Sequence, residues 1–293
     1  MKLAPHTMSR MGDVLAGFHA AWEFETDSVV IRFERGIRTP KLFQALGERR
    51  IPLEAIAGVT LTPGRRGTVV LRAEPRPGAD PLMEAADGQL KDACDPYRLV
   101  LPAERETLAE YYADELRSRL TQQGPAERFL VAAPELPRAF KAYDAKASFD
   151  GRAVSFRWFW TGASSAKWKA GDQTFPVADL SGVEWRSPEV FEGHLRLLRR
   201  TDSSVVPVDQ DPASVVFGLG YGPVHESLPF AAAVLAGVRS AGGAVAVAAQ
   251  ANTGRRDPAD VAERIRHLGQ LYEAGLVTEE EFSVKKAELL AEL

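Results

Sequence analysis

The chain has 293 residues, of which 45% are hydrophobic and 26% are charged, as in ordinary soluble globular proteins. This length is enough for about two domains and a tail. The formal net charge of −4 gives no reason to expect a nucleic-acid partner. Because Cys94 is the single cysteine, a disulfide framework and a CxxC metal site are both excluded. We therefore expect no metal and no other cofactor.

Two segments of the chain bear on targeting and membrane insertion, the N-terminus and the run 230–249. Residues 1–17 lack the continuous apolar core of a signal peptide, and residues 1–11 are predicted to be a flexible N-terminus. The run 230–249 superficially resembles a membrane span, but it is mostly alanine and glycine, and Arg239 and Ser240 interrupt it near the middle. We expect no transmembrane segment. The lone cysteine fits a reducing cytoplasm, so a cytoplasmic location is expected.

An internal duplication organises most of the chain. The strings IPLEAIAGV (residues 51–59) and FPVADLSGV (residues 175–183) share one pattern of apolar residues, proline and glycine. Upstream, apolar residues alternate at 29, 31 and 33 and again at 154, 156 and 158, which predicts half-buried strands. Turns at 26–28 and 150–151 predict that both copies begin with a hairpin. The sequence therefore predicts two repeats, 12–122 and 141–242, joined by a connector, 123–140, that contains glycine and prolines.

Each repeat is predicted to continue with further strands and to end in a helix. The strands are expected at 59–62, 69–73, 97–101, 183–186, 195–199 and 215–218, and the helices near 104–120 and 226–239. The proline in each duplicated string suits the start of a strand or an edge strand. The fold class is therefore α+β and mostly β. Seven or so antiparallel strands closed by a C-terminal helix is the plan of a pleckstrin-homology-like barrel, and a different small α+β barrel is the alternative.

The string RWFWTGASSAKWK (residues 157–169) interleaves basic and aromatic residues. Such a patch could hold an anionic lipid headgroup, a peptide, or a nucleotide or other phosphorylated ligand. The candidate residues are Arg157, Trp160, Lys167, Trp168 and Lys169. The alternative is that Trp158 and Trp160 pack internally while the lysines are merely solvated. A related set in the first repeat, for which a solvated strand edge is the alternative, comprises Arg32, Arg35, Arg38, Lys41, Arg49 and Arg50.

Other motifs give little chemistry. In the insertion at residues 78–90, Asp80, Glu84 and Asp87 could attract a cation, but their spacing does not match a calcium loop, and a lid over the barrel mouth is the alternative. The string GLGYG (residues 218–222) lacks the context of a dinucleotide loop and predicts a turn before the last helix. The five histidines show no ligand spacing, and no nucleophile elbow is present. No catalytic residues are assigned.

The C-terminal segment, residues 258–293, is predicted to form a small αα-hairpin after a linker, residues 243–257. Gly275 is placed to end its first helix, and Thr278 with Glu281 forms a capping box that opens the second. The apolar positions expected to contact a partner are Ile265, Leu268, Leu271, Tyr272, Leu276, Phe282, Leu289 and Leu290. Because units below about 40 residues are rarely stable alone, we expect this segment to associate with a protein partner or with another copy of the chain.

Two family resemblances accompany these patterns. Residues 265–290 are similar to the SHOCT module, a short C-terminal domain of many bacterial proteins, at Leu268, Leu271, Gly275, Thr278, Glu280, Glu281, Phe282, Lys285, Lys286, Leu289 and Leu290. The chain from about residue 12 resembles an uncharacterised bacterial family with two pleckstrin-homology-like repeats and a SHOCT tail. The strings that carry this resemblance are LGERRIPLEAIAGV (46–59), GADPLMEAADGQL (78–90), AEYYADEL (109–116), ASFD (147–150) and GVEW (182–185).

The resemblances imply architecture and little chemistry. They imply that the tail mediates oligomerisation or attachment, and that Arg157, Lys167 and Lys169 are the residues for an anionic headgroup, since early hairpin loops hold such ligands in pleckstrin-homology folds. The sequence therefore favours a non-enzymatic binding or scaffold protein. Peripheral binding of an anionic lipid or another phosphorylated ligand is the alternative, and an enzyme of unknown class is a third hypothesis.

Overall fold

The computed structural model describes residues 13–201 and 206–252, with side chains up to residue 242. In the first half, the strands are β1 (Asp13–Ala16), β2 (Ala20–Phe24), β3 (Ser28–Phe33), β4 (Glu48–Pro52), β5 (Ile56–Pro63), β6 (Thr68–Pro75) and β7 (Arg98–Pro102), and the helices are α1 (Lys41–Leu46), α2 (Pro81–Ala86) and α3 (Glu106–Arg119). In the second half, the strands are β8 (Arg138–Lys141), β9 (Ala145–Phe149), β10 (Ala153–Trp158), β11 (Gln173–Pro176), β12 (Leu180–Arg186), β13 (His194–Arg199) and β14 (Ser214–Val216), and the helices are α4 (Ser165–Ala170) and α5 (Val224–Asn252).

The two halves repeat one order of elements. Each has a four-stranded antiparallel sheet, β1-β2-β3-β4 or β11-β10-β9-β8, and then a three-stranded one, β5-β6-β7 or β12-β13-β14. A short helix, α1 or α4, lies between the third and fourth strands, and a long helix, α3 or α5, follows the seventh. The predicted duplication is therefore confirmed, and the described residues form four open antiparallel sheets.

The predicted hairpins are present in both repeats. Phe24 lies opposite Val29 across the β2–β3 turn, and Phe149 lies opposite Val154 across the β9–β10 turn. In the second turn, Asp150 Oδ1 accepts hydrogen bonds of 2.8 Å from two backbone N–H groups, and these bonds lower the pKa of the carboxyl. The prolines of the duplicated strings end β4 and β11, which are edge strands, so neither removes a donor from a central ladder.

Two elements cross predicted domain boundaries. Strand β8 begins at Arg138, inside the segment predicted as a connector, 123–140. Helix α5 continues to Asn252, through residues predicted as a linker; these residues are rich in alanine, the residue type with the highest helix propensity. Among the described residues, no helix has the length and apolar character needed to cross a membrane. The predicted N-terminus (1–11) and hairpin (258–293), with all its candidate contact residues, lie outside the described residues.

Each repeat has its own apolar core, with the long helix packed on the sheets. In the first repeat, α3 contributes Tyr112, whose ring stacks on Phe24 with centroids 4.2 Å apart. In the second, α5 contributes Phe230, whose ring contacts Phe140 edge-on with centroids 5.0 Å apart. A C-terminal helix covering the sheets of each repeat is therefore confirmed.

The insertion at residues 78–90 joins the repeats. Helix α2 lies in it, and Leu82, Ala85 and Ala86 pack in the core of the second repeat. Its acidic residues do not converge on a cation site: Asp80 pairs with Arg49, Glu84 pairs with Arg239, and Asp87 ends the helix in the left-handed conformation. The insertion is thus a bridge between two cores, because the apolar face of α2 is buried against the other repeat. That it forms a lid over a barrel mouth stays a prediction.

Candidate functional site

The predicted basic and aromatic patch divides into an exposed part and a buried residue. Arg157 and Lys169 are exposed, and the side chains of Trp160 and Trp168 are 80% and 57% exposed. The side chain of Lys167 is 0% exposed, and its Nζ donates to Asp144 Oδ2 at 2.6 Å. Burial lowers the pKa of Lys167, and the Asp144 carboxylate opposes this change. Lys167 therefore neutralises an internal charge and is not placed to contact an external anion.

The duplication explains why Lys167 points inward. Lys167 is the third residue of α4, and Phe43 is the third residue of α1. Phe43 is buried and stacks on Phe33, the last residue of β3, with ring centroids 4.5 Å apart. In the second repeat, Lys167 Nζ lies 5.2 Å from the ring of Trp158, the last residue of β10. In the second repeat, the cation–π contact of Lys167 with Trp158 and its ion pair with Asp144 thus take the position that the stacked pair Phe33–Phe43 has in the first repeat.

The basic set of the first repeat is largely committed to internal pairs. Arg32 pairs with Glu23 and Glu48, Arg49 with Asp80, and Arg50 with Glu25, whereas the remaining three residues are exposed. Those three, Arg35, Arg38 and Lys41, lie between β3 and the start of α1. The structure therefore does not assemble the six residues into one site.

A solvent-exposed apolar groove lies where loops of the second repeat meet the first. Its volume is about 570 Å³, and its lining includes the buried Leu42 and Phe217. The β12–β13 loop carries Phe191, which is 83% exposed, and the turn before α5 carries the fully exposed Leu219. Burying either side chain would gain roughly 1.5–3 kcal/mol. Exposed apolar residues beside an apolar groove mark a candidate binding surface.

Hydrogen bonds hold the walls of this groove in place. Gln89 in the first repeat donates to Trp185 O and accepts from the backbone N–H of Ser187, both at 2.9 Å, at the base of the β12–β13 loop. At the other end of the loop, the backbone N–H of Phe217 donates to Gly193 O at 2.8 Å. A Cβ on Gly193 would lie 2.6 Å from Ser187 O, so the loop closes only with glycine there. The groove is therefore preformed, which reduces the entropy cost of binding.

The predicted turn at residues 218–222 is confirmed and forms the opposite wall. The backbone N–H of Gly222 donates to Lys141 O at 2.8 Å. Gly222 has φ 64°, and a Cβ there would lie 2.2 Å from the ring of Phe217. Tyr221 contacts Tyr143 edge-on, with ring centroids 6.1 Å apart. Gly222 thus allows the aromatic rings of Phe217, Tyr221 and Tyr143 to pack next to Leu219. The string GLGYG therefore has a packing role in this turn.

Besides Tyr221, the ionisable side chains that line the groove are Lys41, Cys94, Glu189, Glu192 and His225, of which Lys41 and Glu192 are exposed to solvent. Burial raises the pKa of Cys94, so the thiol stays protonated at neutral pH. Burial also lowers the pKa of His225, which is therefore neutral at pH 7. Glu189 is paired with Lys91 at 3.2 Å. Within residues 13–201 and 206–252, no group of three or more histidine, cysteine or acidic residues could hold a metal ion. The inner part of the groove, with Leu42 and Phe217, is suited to an apolar occupant.

Comparison with known families accounts for the duplication. Residues 22–117 and 147–235 both match the family described as Domain of unknown function (DUF4429). The two matches together cover more than half of the chain. The chain belongs to this family. Each DUF4429 segment falls on one structural repeat, and the groove combines Leu42 and Cys94 of the first with Phe191, Leu219 and Tyr221 of the second.

The C-terminal part of this DUF4429 protein has a separate similarity. Residues 233–293 are similar to the family described as Gas vesicle protein G. This match replaces the SHOCT module that the residues from 265 to 290 resemble. No curated protein matches the chain.

Sequence reasoning missed the groove. The string GLGYG predicts only a turn, and no sequence pattern marks Phe191 as a binding residue. One sequence feature could have indicated the groove: a large apolar residue lies between turn-forming residues in the strings PEVFEG (188–193) and GLG (218–220). Such residues have no regular period, so periodicity could not show that two distant loops would meet.

Proposed function

We propose that this protein is a cytoplasmic, non-enzymatic binding or scaffold protein that associates through its C-terminal segment, residues 258–293. The observation that carries the proposal is the groove with Phe191 and Leu219 exposed on its two walls. Its occupant is the C-terminal segment of a second copy, which carries the regularly spaced apolar residues from Ile265 to Leu290. An apolar groove and an apolar segment would cover each other's surface.

The same proposal assigns each repeat to the pleckstrin-homology-like class. Seven antiparallel strands in a four-stranded and a three-stranded sheet, followed by one long helix, support this assignment. In this arrangement the two repeats act as a rigid platform. Leu82 of the first repeat in the core of the second supports that rigidity.

Light scattering tests the association. The full chain is expected to have a mass that is a multiple of the monomer, and a chain ending at Gly254 is expected to be monomeric. The double variant Phe191→Ser, Leu219→Ser is also expected to be monomeric, with its stability within about 0.5 kcal/mol of the wild type because both side chains are exposed. If the double variant stays associated while the truncated chain is monomeric, the segment does not bind the groove. Equal monomeric masses for all three proteins would refute self-association.

The single cysteine provides an independent measurement. Cys94 lines the groove and is partly exposed, so its rate of reaction with a thiol reagent reports coverage of the groove. The rate in the full chain is expected to fall as protein concentration rises, whereas the truncated chain is expected to react at one rate throughout. The matched control is Val14→Ser with Leu108→Ser, which removes exposed apolar side chains away from the groove and should leave the concentration dependence intact.

A second candidate function is peripheral binding of an anionic lipid or another phosphorylated ligand. The observation that favours it is the exposure of two tryptophans, Trp160 and Trp168, close in sequence to the exposed cations Arg157 and Lys169. Tryptophan is enriched at membrane interfaces, and each basic residue near an anionic surface contributes roughly 1 kcal/mol. Lys167 takes no part, because it is buried against Asp144.

Vesicle pelleting tests this candidate. Wild-type protein is expected to pellet with anionic vesicles at low salt and to be released at high salt. The variant Arg157→Glu, Lys169→Glu should lose pelleting, while the control Arg65→Glu, Arg66→Glu, with the same charge change on the exposed β5–β6 turn, should retain it. Equal pelleting by wild type and both variants would remove the candidate.

A further inference from the structure

A second cavity lies between the repeats, on the side of the edge strands β4 and β8. It has a volume of about 360 Å³, room for roughly ten waters. Three arginines line it, Arg49, Arg50 and Arg138, together with two carboxylates, Glu48 and Glu135. The cavity therefore carries more positive than negative charge.

Most of these charges already have partners. Asp80 accepts two hydrogen bonds from Arg49, at 2.9 and 2.8 Å, so this guanidinium is occupied. Arg50 pairs with Glu25, and Glu48 accepts from Arg32 at 2.9 Å. These pairs fix the orientation of Arg49 and Arg50. Arg138 is the third arginine of the cavity.

Arg138 has no such partner. Its Nε is buried and makes no hydrogen bond, and it forms no ion pair within the described residues. Burial lowers the pKa of its guanidinium, and Glu135 opposes this change. Buried donors in folded proteins nearly always have an acceptor, and an unsatisfied charged donor is the costliest exception. The Arg138 Nε therefore lacks a hydrogen-bond acceptor, and the cavity beside it has space for a bound molecule that would supply one.

We propose that this cavity binds the phosphate group of a small molecule or a lipid headgroup, with Arg138 as its principal ligand. The planar guanidinium offers paired N–H donors that match the oxygens of a phosphate. Arg50 also lines the cavity, but its guanidinium already donates to Ser28 and Glu25, so the proposal rests on Arg138. The cavity is larger than a single phosphate needs, so a phosphate ester fits better than the free ion. This site is separate from the apolar groove and from the tryptophans of the second repeat.

Titration of the full chain with inorganic phosphate, followed by isothermal calorimetry and thermal unfolding, tests the proposal. Wild-type protein is expected to bind phosphate and to unfold at a higher temperature in its presence than in chloride of the same ionic strength. Arg138→Met should weaken phosphate binding at least about tenfold, as expected for loss of a charged hydrogen bond. Without phosphate, Arg138→Met should unfold at the same temperature or a higher one, because methionine fills the space without an unsatisfied charge.

Two further variants separate the outcomes. Arg152→Met removes an exposed arginine from the β9–β10 turn and should leave phosphate binding unchanged. Glu135→Gln removes a negative charge from the cavity and should strengthen binding. A soluble phosphate ester that binds more tightly than phosphate identifies a small-molecule source, and Arg138-dependent pelleting with phosphatidic acid vesicles identifies a lipid. Equal phosphate binding by wild type and Arg138→Met, or no binding by wild type, would overturn the proposal.

Discussion

Replacing Lys167 by alanine is expected to lower the free energy of unfolding by about 3–5 kcal/mol. The substitution leaves the Asp144 carboxylate buried, with its side chain 3% exposed, and removes the cation that pairs with it. The contact of Lys167 with the Trp158 ring is lost as well. Chemical denaturation monitored by tryptophan fluorescence measures the change.

Two companion variants identify the cause. Lys169→Ala, two residues away and exposed, should change stability by no more than about 0.5 kcal/mol. The double variant Lys167→Met, Asp144→Asn removes both charges and should be more stable than Lys167→Ala. Its asparagine oxygen can still accept the hydrogen bond that Val216 N–H donates to Asp144 at 2.9 Å. If Lys167→Ala is as stable as Lys169→Ala, the ion pair does not stabilise the fold.

Replacing Asp80 by alanine is expected to cost about 3–5 kcal/mol and to loosen the junction between the repeats. Asp80 is fully buried as a side chain, accepts both guanidinium hydrogen bonds of Arg49, and accepts one from the Tyr97 hydroxyl at 2.8 Å. Its Oδ1 also caps α2 by accepting from Leu82 N–H at 2.9 Å. The substitution leaves a buried Arg49 without its counter-ion and removes the cap of the helix that enters the second core.

The prediction is checked by denaturation together with hydrogen exchange. Asp80→Ala should increase exchange in α2 and in β12, which packs against α2, before it does so in β2 and β3. The control Glu110→Ala, at an exposed position of α3, should leave exchange in β12 unchanged. Tyr97→Phe should cost less, about 1.5–3 kcal/mol, because it removes one hydrogen bond to a carboxylate and leaves the ion pair of Arg49 with Asp80 in place. Uniformly faster exchange throughout both repeats would contradict a local role at the junction.

The duplication was accessible from the sequence because it rests on local patterns. Alternating apolar residues up to Phe33 and up to Trp158 predict strands in any context, since successive side chains point to opposite faces. Turn residues such as Asp150 and Gly151 predict the hairpins for the same reason. The helix after the seventh strand also follows from local periodicity. The ends of the elements are less accessible from the sequence than their type, because helix ends depend on small differences in propensity. Helix α5, for example, ends at Asn252, inside the predicted linker 243–257.

The candidate sites depended on contacts between distant residues. The sequence predicts a surface cation at Lys167 because lysine is usually solvated, and its partner Asp144 is 23 positions away in the chain. The exposure of Trp160 and the burial of Trp158 could not be separated by pattern alone. Arg138, in a segment predicted as connector, showed its missing acceptor only when the surrounding strands were in place.

The amino-acid sequence by itself determined two repeats, their strand and helix types, and the apolar pattern of the C-terminal segment, because these follow from the period of neighbouring side chains. Tertiary structure alone decided which charges are buried, that α2 joins the two cores, and that loops around Phe191 and Leu219 share a groove. Burial and charge pairing are properties of residues far apart in the chain. No local period encodes them, so only packing of the two repeats could reveal the groove and the Arg138 cavity.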